Sequence, residues 1–277
     1  MAHYQIILAY DGTDFLGYQR QDEARTVQGE VEAAFRRLGW QGRSILSSGR
    51  TDTGVHASGQ VIAVDFDWNH SPEALGKALN AELPDDVAVK AVRVAEEEFH
   101  PRFDALWRCY HYRLYCCAER NPLRDRFAWR VWPPVNGESL QTAAAMLIGS
   151  HDFAAFGKPP RPNGSTIRVV NEAAWQPVDD GWQFAICANA FLYHMVRRLV
   201  YVQVAVAQGR WQIEQFANGI DQQTVQIAGI AAPNGLDLWE VRYPDSRQKL
   251  EKRLNTLSAS GEDDRGQDVR DQGKTRK

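Results

Sequence analysis

The order of strand-like and helix-like segments constrains this fold more than any other feature of the sequence. The first hundred residues follow the order β-α-β-β-α-β, with strand-like segments at 4–10, 43–48, 60–68 and 87–95. A helix is predicted after Thr26 and another after Ser71, because each hydroxyl can cap a helix whose apolar residues recur every three or four positions. This order is typical of the split βαβ, or ferredoxin-like, unit.

The same order returns in the second half of the chain. Strand-like segments lie at 107–117, 167–176, 182–188 and 238–243, and helical segments at 138–148, 191–208 and, as an extra short helix, 213–219. We therefore predict an α+β fold of two ferredoxin-like halves, 1–104 and 105–245, whose adjoining sheets form a central cleft. Residues 246–277 mix both charges with glycine and few apolar side chains, which predicts a disordered tail.

Composition excludes several classes of protein. The chain is 44% hydrophobic and 24% charged, as in ordinary globular proteins, and no run approaches the roughly 18 apolar residues of a membrane span. The N-terminus enters a strand-like segment without a secretory signal, so we expect a cytoplasmic protein. The four cysteines form no C-x-x-C pair and the seven histidines no ligand pattern, which predicts reduced, packed thiols and no metal centre.

For nucleic-acid binding, the distribution of charge along the chain is more informative than the net charge. A net charge of -3 and a pI near 6.2 disfavour a nucleic-acid partner if taken alone. The acidic runs 96–98 and 262–264 nevertheless lie apart from the arginine-bearing segments 161–168 and 197–198. A basic groove therefore remains compatible with the sequence.

The polar segment 48–61 is the strongest candidate for a functional site. It lies between two predicted strands, contains Gly49, Gly54 and Gly59, and carries Asp52 at its centre. We expect the glycines to supply backbone conformations with positive φ that hold a polar side chain out from a sheet edge. The residues themselves leave a second interpretation open, in which Asp52 only closes a turn.

The sequence GRTDTGVHASGQV at 49–61 resembles the signature of the tRNA pseudouridine synthases of the anticodon stem-loop class. The resemblance extends from Tyr4 to about Pro244 and includes these segments in order: YDGTDFLGYQRQ, FHPRFDA, CYHYRLY, HDF with AAF, NAFLYHMVRR and the pair Gly235-Leu236. Tyr18 stands where the family usually has tryptophan, a change that keeps an aromatic ring. Several motifs in family order are far more specific than any one alone.

The resemblance implies an isomerase that acts on uridines 38, 39 and 40 of tRNA without a cofactor. In that reaction the C1′–N1 bond of uridine breaks, the uracil turns in the pocket, and C5 bonds to C1′. Asp52 matches the catalytic aspartate of the family. A carboxylate can act either as a nucleophile or as a base that removes a sugar proton, and the sequence leaves both roles open.

The remaining site residues also follow from the resemblance. Arg197 matches the basic partner of the aspartate, whereas Arg198 points about 100° away on a helix. Tyr110 matches the pocket tyrosine that packs against the target uracil, and Leu236 would complete the pocket wall. Arg50 matches the residue that displaces the target base and holds the RNA. Tyr112 is assigned to the core, and His56 to a structural hydrogen bond.

Two other functions compete with this prediction. A glycoside hydrolase needs a second carboxylate about 5–9.5 Å from the first, and Asp11 or Asp14 would have to supply it. A non-catalytic RNA-binding protein on ferredoxin-like sheets would need the aromatic RNP1 pattern, which the sequence lacks. The family also implies a homodimer with tRNA crossing both subunits, and no membrane partner.

Overall fold

A single sheet of ten strands organises the computed structural model, which describes residues 1–220 and 229–245. The strands are β1 (Ala2–Tyr10), β2 (Leu46–Ser47), β3 (His56–Phe66), β4 (Val87–Val94), β5 (Trp107–Cys116), β6 (Trp129–Val131), β7 (Gly149–Asp152), β8 (Ile167–Val178), β9 (Gly181–Ala188) and β10 (Leu236–Arg242). The strand order is β4-β1-β3-β10-β5-β9-β8-β7, with β2 paired to β3 and β6 to β5. Residues Met1–Arg242 form one compact unit.

The helices of the described ranges are α1 (Val27–Arg37), α2 (Pro72–Glu82), α3 (Gly137–Ala145), α4 (Met195–Ala207) and α5 (Ile213–Gly219). Thr26 and Ser71 cap α1 and α2 as predicted, since each hydroxyl oxygen accepts a backbone N–H of the first turn. Asn136 caps α3 in the same way. No helix in these ranges is long and apolar enough to cross a membrane.

Each half of the sheet has the strand order of a ferredoxin-like unit. In the first half β4, β1, β3 and β2 are neighbours, and every pair is antiparallel. In the second half β10, β5, β9 and β8 repeat that arrangement, again antiparallel throughout. The predicted α+β fold is confirmed. The division at residue 104 falls in the connection between β4 and β5, and it stays an interpretation.

The two halves join where β3 lies beside β10. This pairing is parallel and short, with Asp237 opposite His56 and Leu238 opposite Ala57. The Ser58 hydroxyl adds a 2.7 Å hydrogen bond to Asp237 Oδ2 across the same junction. Because β10 is followed on its other edge by β5, the last described strand lies in the middle of the sheet.

Helices pack on the apolar face of each half. In the first half Phe35 of α1 meets Phe66 of β3 with ring centroids 5.7 Å apart. In the second half a continuous core joins Tyr112 of β5, Phe184 of β9 and Leu199 of α4, all of them fully buried. One face of the sheet is continuous across the junction, because neighbouring residues of adjacent strands point to the same side. The cross-strand neighbours that show this are Tyr10–Ala57, Ala57–Leu238 and Leu238–Tyr110.

Two expectations about local structure need correction, and a third concerns residues outside the described ranges. Helix α4 begins at Met195 rather than at 191, because His194 adopts φ 64° and residue 193 pairs with Lys158 instead. The strand predicted at 43–48 shortens to Leu46–Ser47, which lie opposite Ala63 and Ile62 of β3. The predicted disordered tail, 246–277, lies outside the described residues.

The cysteine expectation was wrong for one pair. Cys109 and Cys187 are opposite each other in the β5–β9 ladder, and the structure joins them in a disulfide. Cys116 and Cys117 are free thiols, as expected. The sequence could not reveal the pairing, because the two cysteines are 78 residues apart and their contact depends on the register of two strands.

Candidate active site

Asp52 lies in the loop between β2 and β3, directly before the junction of the two halves. The loop is fixed by its backbone: Val55 N–H donates to the Asp52 carbonyl (3.1 Å) and Tyr18 N–H to the Thr51 carbonyl (3.1 Å). The Thr51 hydroxyl forms a 2.8 Å hydrogen bond with the buried Tyr10 phenol. Thr51 is thus anchored to the sheet, while the Asp52 side chain keeps 24% of its surface exposed.

The close approach of the first turn to this loop depends on glycine. A methyl group at Gly12 would lie 2.0 Å from the Val55 carbonyl oxygen, so only glycine fits there. Gly17 has φ 86°, and a methyl group there would come within 3.0 Å of the Thr51 carbonyl oxygen. The segment 10–21 and the segment 49–61 therefore form one packed unit around Asp52.

Arg197 brings α4 to the carboxylate from the second half. Its Nη1 donates to Asp52 Oδ2 at 3.1 Å, and its Nε donates to the Ala231 carbonyl at 2.9 Å. The same two residues form a second hydrogen bond, in which Ala231 N–H donates to the Arg197 carbonyl at 3.1 Å. With only 12% of its side chain exposed, the guanidinium is held in a single orientation toward Asp52.

His194 is a neighbour of Asp52 that the sequence did not identify. Its Nε2 lies 3.4 Å from the same Oδ2 that Arg197 contacts. Burial lowers the pKa of His194, and the nearby Arg197 and Arg198 lower it further, whereas Asp52 opposes the shift. The imidazole is therefore neutral at pH 7. In the sequence, His194 lies within the predicted helix 191–208, three residues before Arg197.

Tyr110 and Leu236 lie on the strands β5 and β10 of the central sheet. The Tyr110 ring meets Phe191 edge to face, with centroids 5.0 Å apart, and burial raises the pKa of its phenol to about 12. The phenol therefore stays neutral at physiological pH. Leu236 is buried opposite Tyr112, and Leu238 is the partner of Tyr110 in the ladder.

Tyr112, Arg50 and His56 occupy distinct environments. Tyr112 is fully buried and donates to the Ala232 carbonyl at 2.7 Å, as a core residue would. Arg50 is exposed at the edge of the Asp52 loop. His56 accepts from Gly12 N–H at 3.0 Å and contacts the Arg126 carbonyl at 3.1 Å, which are structural hydrogen bonds between loops.

Asp11 and Asp14, the two acids that a paired-carboxylate site would use, are both held by Arg126. Asp11 accepts from Thr13 and Arg126, and Asp14 also contacts Arg126. Within the described ranges, no group of three or more His, Cys, Asp or Glu side chains is arranged to hold a metal ion.

Fold and site together define a class of protein. Two ferredoxin-like units share one sheet, Asp52 stands directly before their junction, and an arginine reaches it from a helix of the other half. This is the arrangement of a pseudouridine synthase. Residues 6–104 and 143–244 match the sequence profile of the tRNA pseudouridine synthases, and the chain belongs to that family of isomerases.

Curated relatives named tRNA pseudouridine synthase A agree with this assignment. One from Geobacillus sp. (strain WCH70) is 38% identical over 239 residues, 85% of this chain and 96% of the relative. One from Chloroflexus aurantiacus is 39% identical over 86% of this chain and 88% of its own length. One from Streptococcus equi subsp. equi is 36% identical over 88% of this chain and 100% of its own.

Proposed function

We propose that this protein converts uridine to pseudouridine at positions 38, 39 and 40 in the anticodon stem-loop of tRNA, with Asp52 as the catalytic residue. The observation that carries the proposal is the Asp52 carboxylate, which Arg197 holds at the junction of the two halves. The choice of stem-loop positions follows from the resemblance of segment 49–61 and its companion motifs to the anticodon-arm class. The family itself supports a tRNA substrate.

The two oxygens of Asp52 differ in their surroundings. Arg197 and His194 both lie at Oδ2, and no described residue donates a hydrogen bond to Oδ1. Oδ1 is therefore the oxygen available to the target nucleotide. It can attack carbon, or it can take a proton from the sugar, and either role requires the ionised carboxylate.

The reaction needs no external electron donor or acceptor. The C1′–N1 bond breaks, the uracil turns, a C1′–C5 bond forms, and the proton lost from C5 is balanced by one gained at N1. The protein must therefore hold a detached uracil in place while it turns. We assign that role to Tyr110 and Leu236. An aromatic face and an apolar wall can bind a flipped base through its ring face, without hydrogen bonds to its polar edge that would stop it from turning.

Arg50 suits a role in holding the RNA. Its side chain is exposed two residues before Asp52, where a guanidinium can contact a phosphate or occupy the space that the target base leaves. We further propose that the enzyme acts as a homodimer in the cytoplasm, with tRNA crossing both subunits. Sedimentation of the free protein, alone and with tRNA, tests the dimer.

Substitution of Asp52 by asparagine tests the function directly. The amide keeps the size of the side chain and removes the charge, so we expect pseudouridine formation to fall to background while tRNA affinity stays within a few-fold. The assay measures pseudouridine in an unmodified tRNA transcript with enzyme in excess. Asp14→Asn, an exposed carboxylate in the neighbouring motif, is the matched control and should stay active. Turnover by Asp52→Asn within tenfold of wild type would remove Asp52 from this role.

A further inference from the structure

His194 occupies an unusual backbone position for the residue before a helix. Its φ of 64° lies in the left-handed region, which few residues other than glycine adopt and in which asparagine, aspartate and histidine are enriched. The side chain does not cap α4, because no cap hydrogen bond to the first turn is formed. The strained position therefore does not serve the helix end, and it calls for another role.

The position aims the imidazole at the active-site carboxylate. His194 Nε2 lies 3.4 Å from Asp52 Oδ2, and the ring stacks on Tyr193 with centroids 3.7 Å apart. Tyr193 is held by its backbone, since its N–H donates to the Lys158 carbonyl at 2.9 Å. The ring is thus supported on one side and directed toward Asp52 on the other.

We propose that His194 is a positioning residue for Asp52: its Nε2, which lies 3.4 Å from Oδ2, donates a hydrogen bond to that oxygen beside Arg197 and so leaves Oδ1 as the oxygen that reacts. This inference rests on the proposed function of Asp52. A carboxylate held by one donor can rotate about its Cβ–Cγ bond and exchange its oxygens. A second donor that reached the same oxygen from another backbone position would oppose that rotation.

Two substitutions separate this role from a purely structural one. Asparagine tolerates positive φ but is too short to reach Oδ2, whereas glutamine carries an amide N–H at about the reach of Nε2 but fits positive φ poorly. A structural role of His194 predicts that His194→Asn is the better variant in every respect. The positioning role predicts a reversal: His194→Asn is the more stable protein, and His194→Gln is the faster enzyme.

The experiment compares thermal unfolding, tRNA affinity and the single-turnover rate at saturating enzyme for both variants. We expect His194→Asn to lose about 10- to 100-fold in rate with its tRNA affinity unchanged, which is the usual effect of losing a hydrogen bond to a charged group. His194→Gln should stay within about tenfold of wild type and exceed His194→Asn.

A rate for His194→Asn equal to or above that of His194→Gln overturns the inference. So does a loss confined to tRNA affinity. The failure of the proposed function would look different, because wild type itself would then form no pseudouridine, or Asp52→Asn would remain active. The wild-type and Asp52→Asn reactions are therefore run beside the two His194 variants.

Discussion

Arg197 and Arg198 are adjacent in α4 but have different surroundings. Arg197 is mostly buried and donates to both Asp52 and the Ala231 carbonyl. Arg198 forms no ion pair with a described residue, and its charge helps to lower the pKa of His194. The two residues therefore allow the geometry of a guanidinium to be tested apart from its charge.

Arg197→Lys should reduce the single-turnover rate by at least about tenfold, although it preserves the charge. Lysine lacks the planar group that bridges Asp52 and the Ala231 carbonyl in fixed directions. Arg198→Lys should change the rate less than about twofold, because Arg198 does not contact Asp52. Arginine and lysine have similar helix propensities, so the two variants should leave the stability of α4 equally unchanged. Rates are measured with saturating enzyme, so that chemistry is separated from tRNA affinity. Equal losses for the two variants would contradict the assignment.

The sequence predicted the site at this scale unevenly. Asp52 and Arg197 could be named because each stands in a recognisable motif. The contact of His194 with Asp52 could not, because the pattern of segment 191–208 predicts one helix, in which residue 194 is an interior position. The helix instead begins at Met195, and the left-handed conformation of His194 turns its ring to Asp52.

At the scale of the Asp52 loop, the three glycines lie in different structural environments. Positive φ was expected for Gly49, Gly54 and Gly59, but only Gly54 has it, with φ 75°. Gly59 is required for another reason, since a methyl group there would lie 2.3 Å from the Trp239 carbonyl oxygen of β10. Gly49 has open space around it. A glycine pattern indicates a tight loop, but it cannot tell conformational freedom from close approach.

Gly59→Ala should destabilise the protein by about 1–3 kcal/mol, because the methyl group forces β3 and β10 apart at their junction. Gly49→Ala, in the same segment, should change the free energy of unfolding by less than about 0.5 kcal/mol. Chemical denaturation of both variants measures the difference. A Gly59→Ala protein as stable as wild type would mean that the junction can widen without cost.

At the scale of the whole molecule, both halves contribute to one site. Asp52 comes from the first half, and Arg197, Tyr110 and Leu236 come from the second. The junction between them is the short β3–β10 pairing, reinforced by Ser58 and Asp237. The order of elements predicted the antiparallel pairing within each half, because that order defines the ferredoxin-like unit. It could not predict the parallel pairing between halves, which depends on side chains far apart in the sequence.

Met1–Arg242 should unfold in a single cooperative transition, because the sheet continues from one half into the other. Far-ultraviolet circular dichroism reports the sheet as a whole, and tryptophan fluorescence reports local packing. The two midpoints of thermal unfolding should coincide. Two separated transitions would show that the halves are independent domains that merely touch, and the two-half division would then describe stability as well as topology.

The central position of β10 also bears on how the chain is made. A ribosome completes residues 236–242 after every other described strand, yet these residues lie between β3 and β5. Until they emerge, β3 and β5 are both open sheet edges, and the junction that unites the half with Asp52 and the half with Arg197 is missing. A premature stop before residue 236 therefore removes the middle of the protein rather than its end, and exposes two unpaired strands to aggregation.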